Sequence, residues 1–181
     1  MTEKTGNSGR AALTAPMALG VVCLGLMLHQ GAVADETSCP GVAGTYVTTY
    51  TDREGVFSSR GLMTFLSDGV LLVSDSAQGG VPGVWDPFST EQGAWRCEGT
   101  KDGGTGIRAV ALNFVLPRDG RSPSFSRVDY QAMVDTANGK LTGNATLSFY
   151  GSKDLEGADP INKPGRLIDE FALDGQLLKV N

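Results

Sequence analysis

The sequence predicts an all-β domain: about eight antiparallel strands in an up-and-down β-barrel, preceded by an N-terminal export or anchor helix. Three observations predict it. Short runs rich in Val, Thr, Tyr and Phe recur from Gly44 to the C-terminus, bounded by Gly, Pro, Asn and Asp. No run after residue 34 carries a helix signal. Each strand is joined to the next in sequence, and closure leaves such a sheet no unpaired edge. A two-sheet sandwich is the alternative.

Residues 1–34 read as a signal peptide or membrane anchor, and residues 35–181 as the barrel domain. A polar start carries Lys4 and Arg10 against Glu3, an apolar run follows from Ala11 to Leu28, and Ala32-Val33-Ala34 offers the small-x-small pattern of signal cleavage. Cleavage would leave Asp35 at the new N-terminus and export the domain. An uncleaved anchor is the alternative, because the apolar run is near the lower limit of about 17–25 residues for a spanning helix. A buried helix of the folded domain is a third reading, weakened by Gly20, Gly25 and Gly31.

The strands follow in order. Gly44–Thr51 (GTYVTTYT) suits a pleated surface, and Asp52–Gly55 is a turn. Ser58–Leu66 and Val70–Ser76 form a hairpin about Ser67-Asp68-Gly69. Ala77–Gln92 (AQGGVPGVWDPFSTEQ) reads as a loop longer than most connections, the kind that serves as a lid or binding loop. Gly93–Gly99 and Gly106–Leu116 are the fourth and fifth strands, with Pro117–Ser124 a second loop. Phe125–Asp135 and Lys140–Tyr150 pair about Asn138-Gly139, the strongest hairpin signal in the chain. A polar loop, Gly151–Gly165, leads to an eighth strand, Arg166–Leu173, and Asp174-Gly175 is expected to turn the chain into a last segment, Gln176–Val180.

Of 20 acidic and 15 basic residues, only Glu3, Lys4 and Arg10 lie in residues 1–34, which leaves 19 acids, 13 bases and a net charge of −6 on the domain. That balance opposes nucleic acid and leaves the N-terminal segment, if uncleaved, as the one expected membrane contact. Cys39 and Cys97 remain as an even pair, expected to form one disulfide in an oxidising compartment, with two buried thiols the alternative. The one histidine, His29, falls in the export segment. The domain therefore lacks Ser-His-Asp and Cys-His chemistry and the usual zinc sets, and no nucleotide or EF-hand motif is present. No metal and no cofactor are expected.

Alternation along the strands groups Tyr46, Thr48 and Tyr50 on one face, Val128, Tyr130, Ala132 and Val134 on another, and Leu141, Gly143, Ala145, Leu147 and Phe149 on a dry face opposite a wet one. Aromatics beside small residues suit an apolar pocket with a few hydroxyls, and suit an ordinary packed core equally. Trp85 and Phe88 sit in the long loop, where they either plug one barrel end or gate a ligand; Trp95 reads chiefly as core. Asp75 ends an apolar run and stands out among the acids. Asp129 and Asp135, beside Arg127 and Lys140, read as solvated. Phe65, Phe114 and Met133 complete the candidate lining formed with Tyr46, Tyr50, Asp75, Trp85, Phe88, Trp95 and Tyr130. Arg60, Arg96 and Arg108 could each orient a carbonyl or enolate.

Gly44-Thr45-Tyr46 at the start of the first strand resembles the Gly-x-Trp opening of lipocalin-like, or calycin, barrels, with Tyr in place of Trp. The stretches FSSRGLMTFLSDG (Phe57–Gly69) and PFSTEQGAW (Pro87–Trp95) resemble small actinobacterial barrel proteins. Some of these are cyclases that perform [4+2] cycloadditions in spirotetronate, spirotetramate and polyether polyketide pathways. The resemblance implies a cofactor-independent cyclase that folds a hydrophobic polyketide-like substrate inside the barrel. Such a reaction gains from holding a flexible chain near its reactive geometry, with hydrogen bonds to an activating carbonyl. The alternative from the residues alone is an exported protein that binds or carries a small apolar ligand. A third reading is an envelope protein with a filled barrel.

Overall fold

In the computed structural model, which describes residues 39–101, 103–151 and 159–180, eight antiparallel strands close into a barrel in the order β1 to β8. They are β1 Gly44–Thr51, β2 Phe57–Phe65, β3 Val70–Asp75, β4 Glu91–Lys101, β5 Gly104–Val115, β6 Ser124–Asp135, β7 Lys140–Tyr150 and β8 Arg166–Leu177. The barrel, not the sandwich, is thus the fold. The expected helix at residues 1–34 lies outside the described residues.

Closure depends on the last strand. The expected turn at Asp174-Gly175 does not form: β8 runs through it, and Tyr46↔Leu177 to Thr51↔Ala172 zip β8 onto β1. Gly175 serves close approach here. A Cβ on it would lie 3.0 Å from the Thr48 methyl and 3.4 Å from Leu141, so the missing side chain lets β8 pass over two inward residues.

One half of the barrel is packed solid. Tyr46, Phe65 and Trp95 stack edge-to-face, with ring centroids 5.7 and 5.3 Å apart, and each such pair adds about 0.5–1.5 kcal/mol beyond its buried area. Their polar tips are satisfied: the Tyr46 hydroxyl donates to the Val42 carbonyl and the Trp95 indole N–H to the Leu66 carbonyl. Ile107, Val134 and Leu141 fill the same end. The disulfide Cys39–Cys97, Cα atoms 6.0 Å apart, ties the segment before β1 to β4 and packs against this core.

The predicted wet face of β7 is covered at its far end. The ladder with β8 shifts register between Leu147 and Ser148, and Ser148 and Tyr150 are buried. The chain at 159–165 lies over them: the Tyr150 hydroxyl donates to the Lys163 carbonyl, and Arg127 Nη1 donates to the carbonyls of Pro160 and Ile161. Arg127 also grips Asp129 at 2.6 Å, as their spacing suggested. Lys140 instead pairs with Asp174, while Asp135 accepts from Asn138 and Ala137 and so caps its own turn.

Candidate functional site

Above the packed half the barrel opens into a cavity of about 310 Å³. Its wall is built by the inward alternation of the strands. Tyr50 comes from β1, Ser59 from β2, Asp75 from β3, Asn113 from β5, Ser126 and Tyr130 from β6, and the apolar surface from Val128, Ala145, Leu147, Phe149 and Phe171. Gly61 gives Tyr50 its place, because a Cβ there would come within 3.0 Å of the Tyr50 ring.

The group that distinguishes this wall is Glu91, 6% exposed at the first position of β4. The predicted loop ends two residues earlier than expected, so β4 begins at Glu91 and not at Gly93. Glu91 then shares the inward face with Gly93 and Trp95. The Tyr130 hydroxyl donates to its Oε2 at 2.6 Å. Loss of water around the carboxyl pushes its pKa up to about 7; the charge of Asp75 adds to the rise, and hydrogen bonds from Tyr130 and Asn113 oppose it. Burial, then the charge of Glu91, raise the Tyr130 hydroxyl well above its ordinary value.

Asp75 closes β3 with both oxygens engaged: Ser59 Oγ donates at 2.8 Å and the Ala77 backbone N–H at 2.6 Å. Ser126 donates to Asn113, which fixes the amide beside Glu91. Tyr50 is different. Its hydroxyl lies beside Tyr130 and Thr48 and feels both, yet no partner completes a hydrogen bond to it, and burial raises its pKa. A buried hydroxyl left in this way costs about 1–3 kcal/mol.

The loop between β3 and β4 lies at the cavity mouth. It folds on itself through the Val81↔Trp85 bridge and joins β5 through Phe88↔Val115. Two arginines of the β5–β6 loop hold it, Arg118 donating to the Gly79 carbonyl and Arg121 to Asp86 at 2.8 Å. Trp85, Phe88 and Val84 thereby line the entrance.

The structure brings together five of the ten predicted lining residues: Tyr50, Asp75, Trp85, Phe88 and Tyr130. Tyr46, Phe65 and Trp95 lie in the packed half instead. Phe114 and Met133 point outward, Phe114 against Phe125 with centroids 4.6 Å apart and Met133 over Gly104 and Gly106 of β5. Arg60 and Arg96 are exposed, and Arg108 is taken up by Glu98 at 2.9 Å. Glu91 is the residue that sequence reasoning missed; extending the alternation of Trp95 back by two steps would have found it. Among the described residues, no three His, Cys, Asp or Glu side chains gather into a metal-binding group.

No protein-family model, curated protein or solved structure matches the chain. The site is therefore read from its own chemistry. A carboxyl that titrates near neutrality, coupled to a phenol and set in an apolar cavity, can give or take a proton. The wall beside it can hold a hydrophobic molecule in one orientation.

Proposed function

We propose that the barrel takes up a small, mainly apolar molecule and acts on it as a cofactor-independent cyclase or isomerase, with Glu91 as the proton-transferring group. The observation that carries this reading is the Glu91–Tyr130 pair inside an open, apolar cavity. A barrel filled for stability alone gains nothing from a desolvated carboxyl, which costs free energy unless something uses it. Lid aromatics at the mouth support enclosure of the substrate, where exclusion of water strengthens every electrostatic contact. The lipocalin-like opening strand and the resemblance to barrel cyclases of polyketide pathways agree with ring closure on a folded, flexible substrate. The disulfide and the N-terminal segment support an exported domain, since disulfides persist in oxidising compartments.

Carriage of the ligand without chemistry is the second reading, favoured by the apolar lining taken alone. Native mass spectrometry of the protein from its own host, followed by incubation of the released molecule with wild-type and E91Q protein, separates the two. The cyclase reading expects E91Q to retain a precursor that wild type converts to a product of equal mass and different retention. A molecule released unchanged by both proteins supports carriage. Absence of any bound molecule overturns both.

A further inference from the structure

We propose that the occupant of this cavity is a hydrophobic organic cation, an amine or ammonium group on an apolar skeleton, seated between Glu91 and Asp75. The inference rests on the reading above only in needing an occupant for the same cavity; it names that occupant's chemistry.

Two carboxyl groups face one cavity from neighbouring strands, and Asp75 makes ionisation of Glu91 harder. Among the described residues, no cation accompanies them inside. Arg127, the one buried arginine among the described residues, is turned outward to Asp129 and to the chain at 159–165. The other groups facing Glu91 are the phenols of Tyr50 on β1 and Tyr130 on β6. From β2, β5 and β7 the wall offers Ser59, Asn113 and apolar side chains, none of them charged. β8 brings Arg166 and the lid brings Asp86, both at the mouth; Arg166 is exposed and Asp86 is held by Arg121. The interior thus has an uncompensated negative bias in an apolar setting.

The Tyr50 hydroxyl is the independent sign of a ligand. It is buried on a residue that lines the cavity, completes no hydrogen bond with Tyr130 or Thr48 beside it, and its oxygen can accept from an N–H. The rings of Tyr50, Tyr130, Phe149 and Phe171, with Trp85, line the cavity, and an aromatic face attracts a cation on an apolar stem. An ammonium at this point offsets the charge of both carboxyls and gives Tyr50 its partner. It also favours the ionised form of Glu91, so its binding expels a proton near neutral pH.

The test is isothermal titration of the full, disulfide-intact chain with three probes of one skeleton: phenylbutylamine, phenylbutanol and phenylbutyrate. At about pH 8, where Glu91 is ionised, the amine should bind about tenfold or more tighter than the alcohol, and the carboxylate weakest. The ratio of amine to alcohol should shrink toward about pH 5.5 as Glu91 takes its proton, the amine staying charged throughout. Near neutrality, amine binding should release protons, read as a dependence of the heat on buffer ionisation enthalpy. E91Q and D75N should each reduce the amine-to-alcohol ratio; using both keeps the test valid if one fails to fold. Alcohol binding equal to or tighter than the amine at about pH 8 overturns the cation and leaves the cavity reading standing. Failure of all three probes to bind overturns both.

Discussion

The Tyr130 hydroxyl sits 2.6 Å from Glu91 Oε2, joining a phenol on β6 to a carboxyl on β4 that are 39 residues apart in the chain. Both are buried, and the bond is the main contact that helps Glu91 ionise against the loss of water around it. Several consequences can be measured.

Glu91 makes stability fall as pH rises. Its pKa is raised from 4.5 to about 7 in the folded state, so the folded chain keeps this proton when the unfolded chain has lost it. The cost is absent below about pH 4.5, grows through that window and is complete above about pH 7, where it reaches roughly 3 kcal/mol. E91Q should therefore melt higher than wild type at about pH 8 and match it at about pH 4. Urea titrations across that range give the comparison, and an equal difference at both ends would refute the assignment.

Y130F removes the donor and keeps the ring. The Glu91 carboxyl should then titrate at higher pH, seen in its infrared carboxyl band. Stability at about pH 8 should fall by roughly 1.5–3 kcal/mol, the range for hydrogen bonds to charged groups. The loss should be smaller at about pH 5, where Glu91 is protonated. An unmoved carboxyl titration would show that Tyr130 does not support the ionised form.

Y50F removes a buried hydroxyl that completes no hydrogen bond. It should leave stability equal or raise it by up to about 3 kcal/mol, because a desolvated group disappears. The same change should weaken ligand binding. Thermal melts with and without a bound probe separate the two effects, and a clear loss of stability in the empty protein would mean that Tyr50 is already satisfied.

R121A cuts the tie from the β5–β6 loop to Asp86 on the lid. Arg121 is exposed, so the melting temperature should stay near that of wild type. Trp85 should become more open to acrylamide quenching, and amide exchange at Val81 and Trp85 should speed up. High salt should produce the same change in wild type by screening the pair. Unchanged exchange would place control of the lid elsewhere, with Arg118 and the Phe88↔Val115 bridge the next contacts to break.

Reduction of Cys39–Cys97 opens a loop of 58 residues and should cost about 4 kcal/mol on the chain-entropy model. The bond lies against the packed half, so titration of Glu91 should be the same in reduced and oxidised protein. A shift in that titration on reduction would show that the two ends of the barrel are coupled.

The sequence by itself determined the eight strands and their order, though not the start of β4 or the end of β8. Asn138-Gly139 and Ser67-Asp68-Gly69 set two hairpins, and period-two alternation put Tyr46, Thr48 and Tyr50 on the inner face. Cys39 and Cys97, the even pair outside residues 1–34, come together as their count suggested. These features are local or pairwise, carried by turn chemistry and by the pleat. What only the tertiary structure decided is depth along the barrel axis. Tyr46 and Tyr50 share a face, yet one is sealed in an aromatic stack and the other lines a cavity. The distinction arises from the stagger of eight strands, which no single strand records. Burial of Glu91 depends on the same stagger. One acid at the end of a Gly- and Pro-rich loop has the sequence character of a solvated residue. It becomes a desolvated acid only because β4 begins there and Tyr130, two strands away on β6, meets it.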